Sequence, residues 1–173
     1  HIVEQFHRFH LPFAAERPEI HWVNTIRQEL IAEIAFLSPS VPTGEIPDVS
    51  IIIPVFNQLG YTLACLHSIL SSPTRYSLEL IIADDCSTDG TGEVFAAGVG
   101  HIRHVRTSGN KGFIRNCNEA AQAARGRYLV FLNNDTFVLP DWLDELIGTL
   151  ETRQDIGLVG SKLIYPDGRL QEA

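Results

Sequence analysis

The sequence predicts an α/β domain built on a mostly parallel sheet with helices on both faces. Three observations predict it. Short apolar, β-branched runs alternate with longer stretches whose apolar residues recur every three or four positions. The runs Val49 to Val55 and Leu78 to Ala83 are apolar almost throughout, as strands buried on both faces must be. Polar residues gather just after the runs or before a helix, at Pro54 to Asn57, Asp84 to Ser87, Gly109 to Gly112 and Asn133 to Thr136. That is the edge at which parallel sheets bind ligands.

Each element has its own signal. Val23, Ile26, Leu30, Ile34 and Leu37 share one face of a helix over Ile20 to Leu37. Pro39, Pro42, Gly44 and Pro47 then mark a linker over 38–48. Upstream, His1, His7 and His10 lie among Phe6, Phe9 and Phe13 without Cys or carboxylate at ligand spacing, so 1–37 reads as a loosely ordered packing arm followed by the helix. After the strand Val49–Val55, Leu63, Leu66 and Leu70 mark a helix stopped near Pro73. Leu78 to Ala83 is the second strand, Gly90 to Ala97 a short helix, and His101 to Arg106 a third strand. Asn110 is placed to cap a helix from about Gly112 to Arg125, with Phe113, Cys117, Ala120 and Ala124 on its inner face. Tyr128 to Leu132 is the fourth strand. Pro140 suits the first turn of a helix carrying Leu143, Leu146, Ile147 and Leu150, and an extended stretch from Ile156 to Tyr165 follows.

Composition removes several function classes. At 173 residues, 45% hydrophobic and 20% charged, the chain is long enough for one sizeable core and too apolar for general disorder. A net charge of -8 opposes nucleic acid as a partner, because a long polyanion requires a basic face. Cys65, Cys86 and Cys117 are odd in number and lack C-x-x-C spacing, which argues against a disulfide framework or a zinc site and for a reducing compartment. No apolar run approaches the roughly 20 residues of a transmembrane segment, and neither a signal sequence nor a methionine is present. The expectation is a piece of a longer protein.

Chemistry concentrates at the strand ends. Asp84 and Asp85 end a buried strand, where a carboxylate accepts a ring N–H or sits beside a cation, or else caps the turn with Ser87, Thr88 and Asp89. Phe56, beyond Pro54, is placed to stack on a flat ring or simply to pack. Asn110, Lys111 and Gly112 open a helix whose free N–H groups favour an anion, with Lys111 or Arg115 supplying charge; an ordinary helix cap is the alternative. Asn133, Asn134 and Asp135 present one carboxylate between amides and Thr136. A lone Asp holds a hard divalent cation only when a ligand such as a diphosphate completes the shell, as magnesium sites often do. Otherwise Asn133 and Asp135 close a turn.

Together these motifs resemble the family 2 glycosyltransferases, inverting enzymes of the GT-A fold that use nucleotide-sugar donors. Val49 to Asn57 resembles the family's first strand, Glu79 to Thr91 its second, Asn110 to Phe113 with Asn118 to Ala121 its next loop and helix, and Leu132 to Thr136 its D-x-D segment. The resemblance covers 49–173 as a GT-A donor-binding domain lacking the acceptor half. It implies that Pro54, Phe56 and Asn57 frame the base, that Asp85 hydrogen-bonds its ring, and that Asn110, Lys111, Gly112 and Asn134 complete the donor site. Asp135 would hold Mg or Mn on the diphosphate. Cys86 stands where the family has Gly or Asn and fits if the turn keeps φ negative. Asn133 replaces the leading Asp of the motif.

The resemblance further implies transfer of a hexose, with inversion, from a UDP- or dTDP-linked sugar to an acceptor glycan or lipid-linked saccharide in polysaccharide biosynthesis. It places the protein in the cytoplasm, peripheral at the inner face of the membrane. The family's general base comes from downstream of the matched segment, so it is expected beyond Ala173 and the isolated chain is expected to be inactive. A phospho-signalling receiver domain fits poorly, since its acidic pair follows the first strand and this one follows the second. A non-catalytic nucleotide-binding or scaffold module is the alternative, marked by metal-dependent nucleotide binding without sugar transfer.

Overall fold

The computed structural model describes residues 20–38, 45–165 and 169–172. The histidine- and phenylalanine-containing arm and most of the linker lie outside the described residues. In chain order the elements are α1 (Ile20–Leu37), β1 (Val49–Val55), α2 (Leu59–Leu70), β2 (Leu78–Asp84), α3 (Thr91–Ala96), β3 (Arg103–Arg106), α4 (Phe113–Ala123), β4 (Tyr128–Phe131), α5 (Trp142–Thr152), β5 (Leu163–Ile164) and β6 (Leu170–Glu172).

Four strands form one parallel sheet in the order β3-β2-β1-β4. The chain moves outward from β1 to β2 and β3, then returns through α4 to lay β4 on the other side of β1. Strand order therefore reverses beside β1, and a crevice opens there at the carboxyl edge. All seven residues of β1 and all seven of β2 are buried, as their mostly apolar runs require.

The period of two divides these strands between two faces. Ile51, Ile53, Val55, Leu80 and Ile82 join Leu63 and Leu66 of α2, Leu143 and Ile147 of α5, and Leu30 and Ile34 of α1 in the larger core. Ile52, Ile81 and Ala83 face the other way and meet Ala120 of α4. Small residues at this contact let α4 lie close on the sheet. Helix α1 is held on α2 by this shared core and by His67, whose Nε2 lies 3.2 Å from Glu33 Oε1.

Several local expectations are corrected. Asn110 does not cap α4; Gly112 does, at φ 81°, without a side-chain cap. A positive φ at that position suits glycine alone without strain. Cys117 and Ala120 face inward as expected, but Phe113 is 60% exposed, because the first helical position lies at the crevice mouth rather than over the sheet. Helix α5 begins at Trp142 after Asp141 at φ 63°, which leaves Pro140 before the cap. Of the stretch 156–165 only Leu163–Ile164 is strand, and it pairs antiparallel with β6 rather than joining the main sheet. Leu129 and Phe131 of β4 are about half exposed, since β4 is an edge strand whose α4-side face is only partly covered.

Away from the crevice, one buried carboxylate ties the sheet together. Glu79, 4% exposed, accepts from Ser50 Oγ at 2.7 Å, Arg103 Nη1 at 2.8 Å, Arg125 Nε at 2.9 Å and Arg125 N at 3.0 Å. Ser50 Oγ in turn accepts from Gly126 N at 2.8 Å. A Cβ on Gly126 would lie 2.4 Å from Ser50 N, so only glycine lets the chain enter β4 this close to β1. Burial alone would raise the Glu79 carboxyl, but the hydrogen bonds from Ser50, Arg103 and Arg125 outweigh it and bring it down to about 2.

A carboxyl lowered on folding stabilises the native state above its unfolded value and loses that contribution as pH falls through the folded one. Stability is therefore expected to fall between about pH 4.5 and pH 2 by on the order of 3 kcal/mol through Glu79. Urea unfolding at stepped pH checks this, and Glu79→Gln should flatten that part of the profile. A profile unchanged by Glu79→Gln would exclude the assignment.

Candidate functional site

A cavity of about 340 Å³ occupies the crevice where strand order reverses. Four separated segments wall it: Pro54, Val55 and Phe56 at the end of β1, Asp85 after β2, Asn110, Gly112, Phe113 and Asn116 at the start of α4, and Asn133, Asn134 and Asp135 after β4. Phe56 is 52% exposed, so its ring is free to meet a flat ligand at the mouth.

The acidic pair divides its work between two directions, as successive residues leaving a strand must. Asp84 is 0% exposed and binds protein: Ser87 N donates to its Oδ1 at 2.8 Å, His104 Nε2 lies 3.1 Å from its Oδ2, and the Arg106 guanidinium pairs with the same oxygen. Burial opposes the charge, yet the bonds from Ser87, His104 and Arg106 keep this carboxyl below its ordinary value. Asp85, 4% exposed, accepts from Lys111 N at 2.8 Å, Gly112 N at 2.8 Å and Thr107 Oγ1 at 3.0 Å. It thus fastens the loop before α4 while lining the cavity. A carboxylate accepts roughly four hydrogen bonds, which leaves Asp85 capacity for one more.

Of the nine residues expected to hold the donor, Pro54, Phe56, Asp85, Asn110, Gly112, Asn134 and Asp135 line the cavity. Asn57 and Lys111 do not. Asn57 instead binds the turn after β2, with its N donating to Ser87 Oγ at 2.8 Å and its Oδ1 accepting from Thr88 N at 2.7 Å. The Lys111 ammonium pairs with Glu119 at 2.6 Å, so only its backbone faces Asp85. Asp89 joins the turn to two helices, accepting from Leu59 N at 2.8 Å and from Thr91 Oγ1 at 2.6 Å.

Cys86 departs from expectation. Its φ is +66°, in the left-handed region, because the chain must turn sharply between the buried Asp85 and Ser87. The thiol-bearing residue therefore occupies a conformation natural to Gly or Asn.

Asn134 is held by its Nδ2, which donates to Thr62 Oγ1 of α2 at 3.1 Å. Asp135 is exposed, and its carboxylate has no hydrogen bond or ion pair among the described residues. No group of three His, Cys, Asp or Glu side chains is placed to hold a metal among the described residues. A resident, fully protein-coordinated ion does not fit here. One free carboxylate does fit a magnesium- or manganese-type ion whose remaining ligands are water and phosphate.

Val55, Phe113, Asn116 and Asn133 also line the cavity and were not among the expected donor-binding residues. For Asn116 a signal existed. It lies four residues before Ala120 on the buried stripe of α4, where an amide is out of place for packing alone.

Residues 50–172 match the family model described as Glycosyl transferase family 2. The chain is 37% identical over 138 residues to the O-antigen biosynthesis protein RfbC of Myxococcus xanthus, covering 76% of this chain and 10% of that protein. It is 35% identical over 121 residues to a chondroitin synthase of Escherichia coli, covering 69% of this chain and 17% of that protein. The chain thus spans less than a fifth of each of these relatives. Among solved structures, the mannosyltransferase PcManGT from Pyrobaculum calidifontis, in complex with GDP-Man and Mn2+, superposes with a TM-score of 0.57 at 20% identity, over 82% of this chain and 44% of that one. TarS 1-349 of S. aureus, in complex with UDP-GlcNAc, gives 0.52 at 18% identity, over 68% and 40%. The fold is that of these GT-A glycosyltransferases.

The strain at Cys86 is testable. Cys86→Asn should raise stability by about 0.5–1 kcal/mol, since Asn tolerates the left-handed region and the β-carbon strain of other residues there is about 1–2 kcal/mol. Denaturant unfolding measures it. A loss of stability would mean that the thiol packs usefully and that the turn is not strained.

Proposed function

Because the chain belongs to glycosyl transferase family 2, we propose that it binds the nucleotide-sugar donor of a hexosyltransferase, UDP- or dTDP-linked, in the crevice beside β1. The observation that carries this reading is the convergence of four strand and helix ends on one cavity holding a buried carboxylate, an exposed aromatic and an exposed, unpaired carboxylate. The protein of which it is part would transfer the sugar with inversion to a glycan or lipid-linked saccharide, at the cytoplasmic face of the membrane. No helix among the described residues is long and apolar enough to cross a membrane. The nucleotide sugars named for PcManGT and TarS support a donor of this class.

Each part of the donor meets suitable chemistry. Pro54 and Phe56 offer an apolar face to the base, and Asp85 has one acceptor position left for a ring N–H. The first turn of α4 presents backbone N–H groups and a positive dipole end to the phosphates. Asp135 would hold Mg or Mn together with the diphosphate, and the ion would supply Lewis-acid stabilisation of the leaving group. Asp85 and Asp135 are the carboxylates of the cavity wall. The first is already bound by three donors and the second is assigned to the diphosphate, so the base that deprotonates the acceptor belongs outside this cavity.

Two measurements test the reading. Asp85→Ala should weaken UDP or dTDP binding by about 1.5–3 kcal/mol, the value of a hydrogen bond to a charged group; unchanged affinity in a folded variant would exclude the base contact. Titration of nucleotide with and without manganese should show each ligand tightening the other by the same factor, at least about fivefold. Asp135→Asn should remove most of that coupling. Equal coupling in both proteins would make Asp135 a turn residue, and sugar transfer by the intact protein separates an enzyme from a scaffold.

A further inference from the structure

Asn116 sits in the first turn of α4 with its side chain 2% exposed. Its Nδ2 donates to Ala83 O at 2.6 Å, which orients the amide and leaves the carbonyl oxygen as the other end. Oδ1 is closed off from solvent and has no hydrogen-bond partner among the described residues, yet the residue forms part of the cavity wall. A buried acceptor left this way is destabilising, because its lost hydration is not replaced. Packing alone would be served by an apolar residue, as it is by Ala120 one turn later.

The surroundings identify the missing partner. Ala83 lies two residues before Asp85 on the same side of the chain as it leaves β2. Gly112 ties the Asp85 carboxylate to the backbone of Asn116, since Asn116 N donates to Gly112 O at 3.1 Å and Gly112 N donates to Asp85 Oδ2 at 2.8 Å. With Nδ2 turned to Ala83 O, the unpartnered atom of Asn116 is its carbonyl oxygen, an acceptor like the remaining position on Asp85. Phosphate oxygens, which are acceptors too, are disfavoured at these two side-chain oxygens, as distinct from the backbone N–H groups that open α4. An N–H on the edge of a planar ring satisfies it, and Phe56 and Phe113, 52% and 60% exposed, supply apolar surface to such a ring.

Resting on the nucleotide-binding reading above, the geometry points to Asn116 Oδ1 as a second acceptor for the nucleobase edge, beside Asp85, which makes Asn116 a specificity-determining residue of the site. A uracil or thymine ring offers one imide N–H to be shared between the two acceptors. Guanine offers a ring N–H and an adjacent amino group, one for each.

Calorimetry on the full chain tests this with UDP, dTDP, GDP, N3-methyl-UDP and N1-methyl-GDP as probes, in wild type and Asn116→Ala. The tightest-binding nucleotide should lose roughly five- to tenfold in affinity in the variant, in keeping with one hydrogen bond. Methylation of its ring N–H should also weaken binding less in the variant than in wild type. A merely structural role would lower the melting temperature without changing that methylation ratio. An equal ratio in both proteins overturns the assignment, and Asn116→Ser carries the same comparison where Asn116→Ala does not fold. Failure of every nucleotide to bind wild type would instead remove the nucleotide reading, and this inference with it.

Discussion

Two consecutive buried carboxylates at the end of β2 organise the ligand edge of this protein. Ionised groups this far from solvent are tolerated only when surrounded by donors. Asp84 draws His104, Arg106 and the backbone of Ser87 onto one side of the strand end. Asp85 draws the loop 107–112 onto the other. The start of α4, the turn after β2 and the end of β3 are therefore held by one electrostatic requirement.

The crevice follows from that requirement together with the strand order. Return of the chain to the far side of β1 separates the connections on either side of the switch point and leaves space between them. Close approach of α4 through Ala120 brings Asn116 and Gly112 into the space beside Asp85. Asn57 and Asp89 brace the walls without entering, since their side chains are occupied by Thr88, Leu59 and Thr91. The residues that shape the site and those that line it are thus partly different sets.

At the other end of the sheet Glu79 plays a purely structural part. It gathers Ser50, Arg103 and Arg125 from three segments and so joins β1, β2, β3 and the entry to β4. Its position is remote from the cavity, and its donors are all supplied by the protein. Two acidic residues of the cavity wall differ in this respect, because Asp135 is left open among the described residues and Asp85 retains one acceptor position. The contrast separates carboxylates that hold the fold from those available to a ligand.

The sequence by itself determined the parallel sheet, because nearly continuous apolar runs such as Val49 to Val55 and Leu78 to Ala83 admit burial on both faces and little else. It also placed polar residues at the strand ends, since turns leaving such strands must carry them. What it left open was every feature that depends on a distant partner. Whether Asn110 or Gly112 capped α4 depended on the backbone angle imposed by Asp85. Whether Cys86 kept φ negative depended on the turn between two buried side chains. Lys111 was legible as a cation, but its pairing with Glu119 required the rotation of α4 to be known. Asn116 shows the limit most plainly: only tertiary packing against Ala83 consumed its amide donor and left its oxygen unpaired in the crevice wall, because hydrogen-bond satisfaction is a property of neighbours in space rather than along the chain.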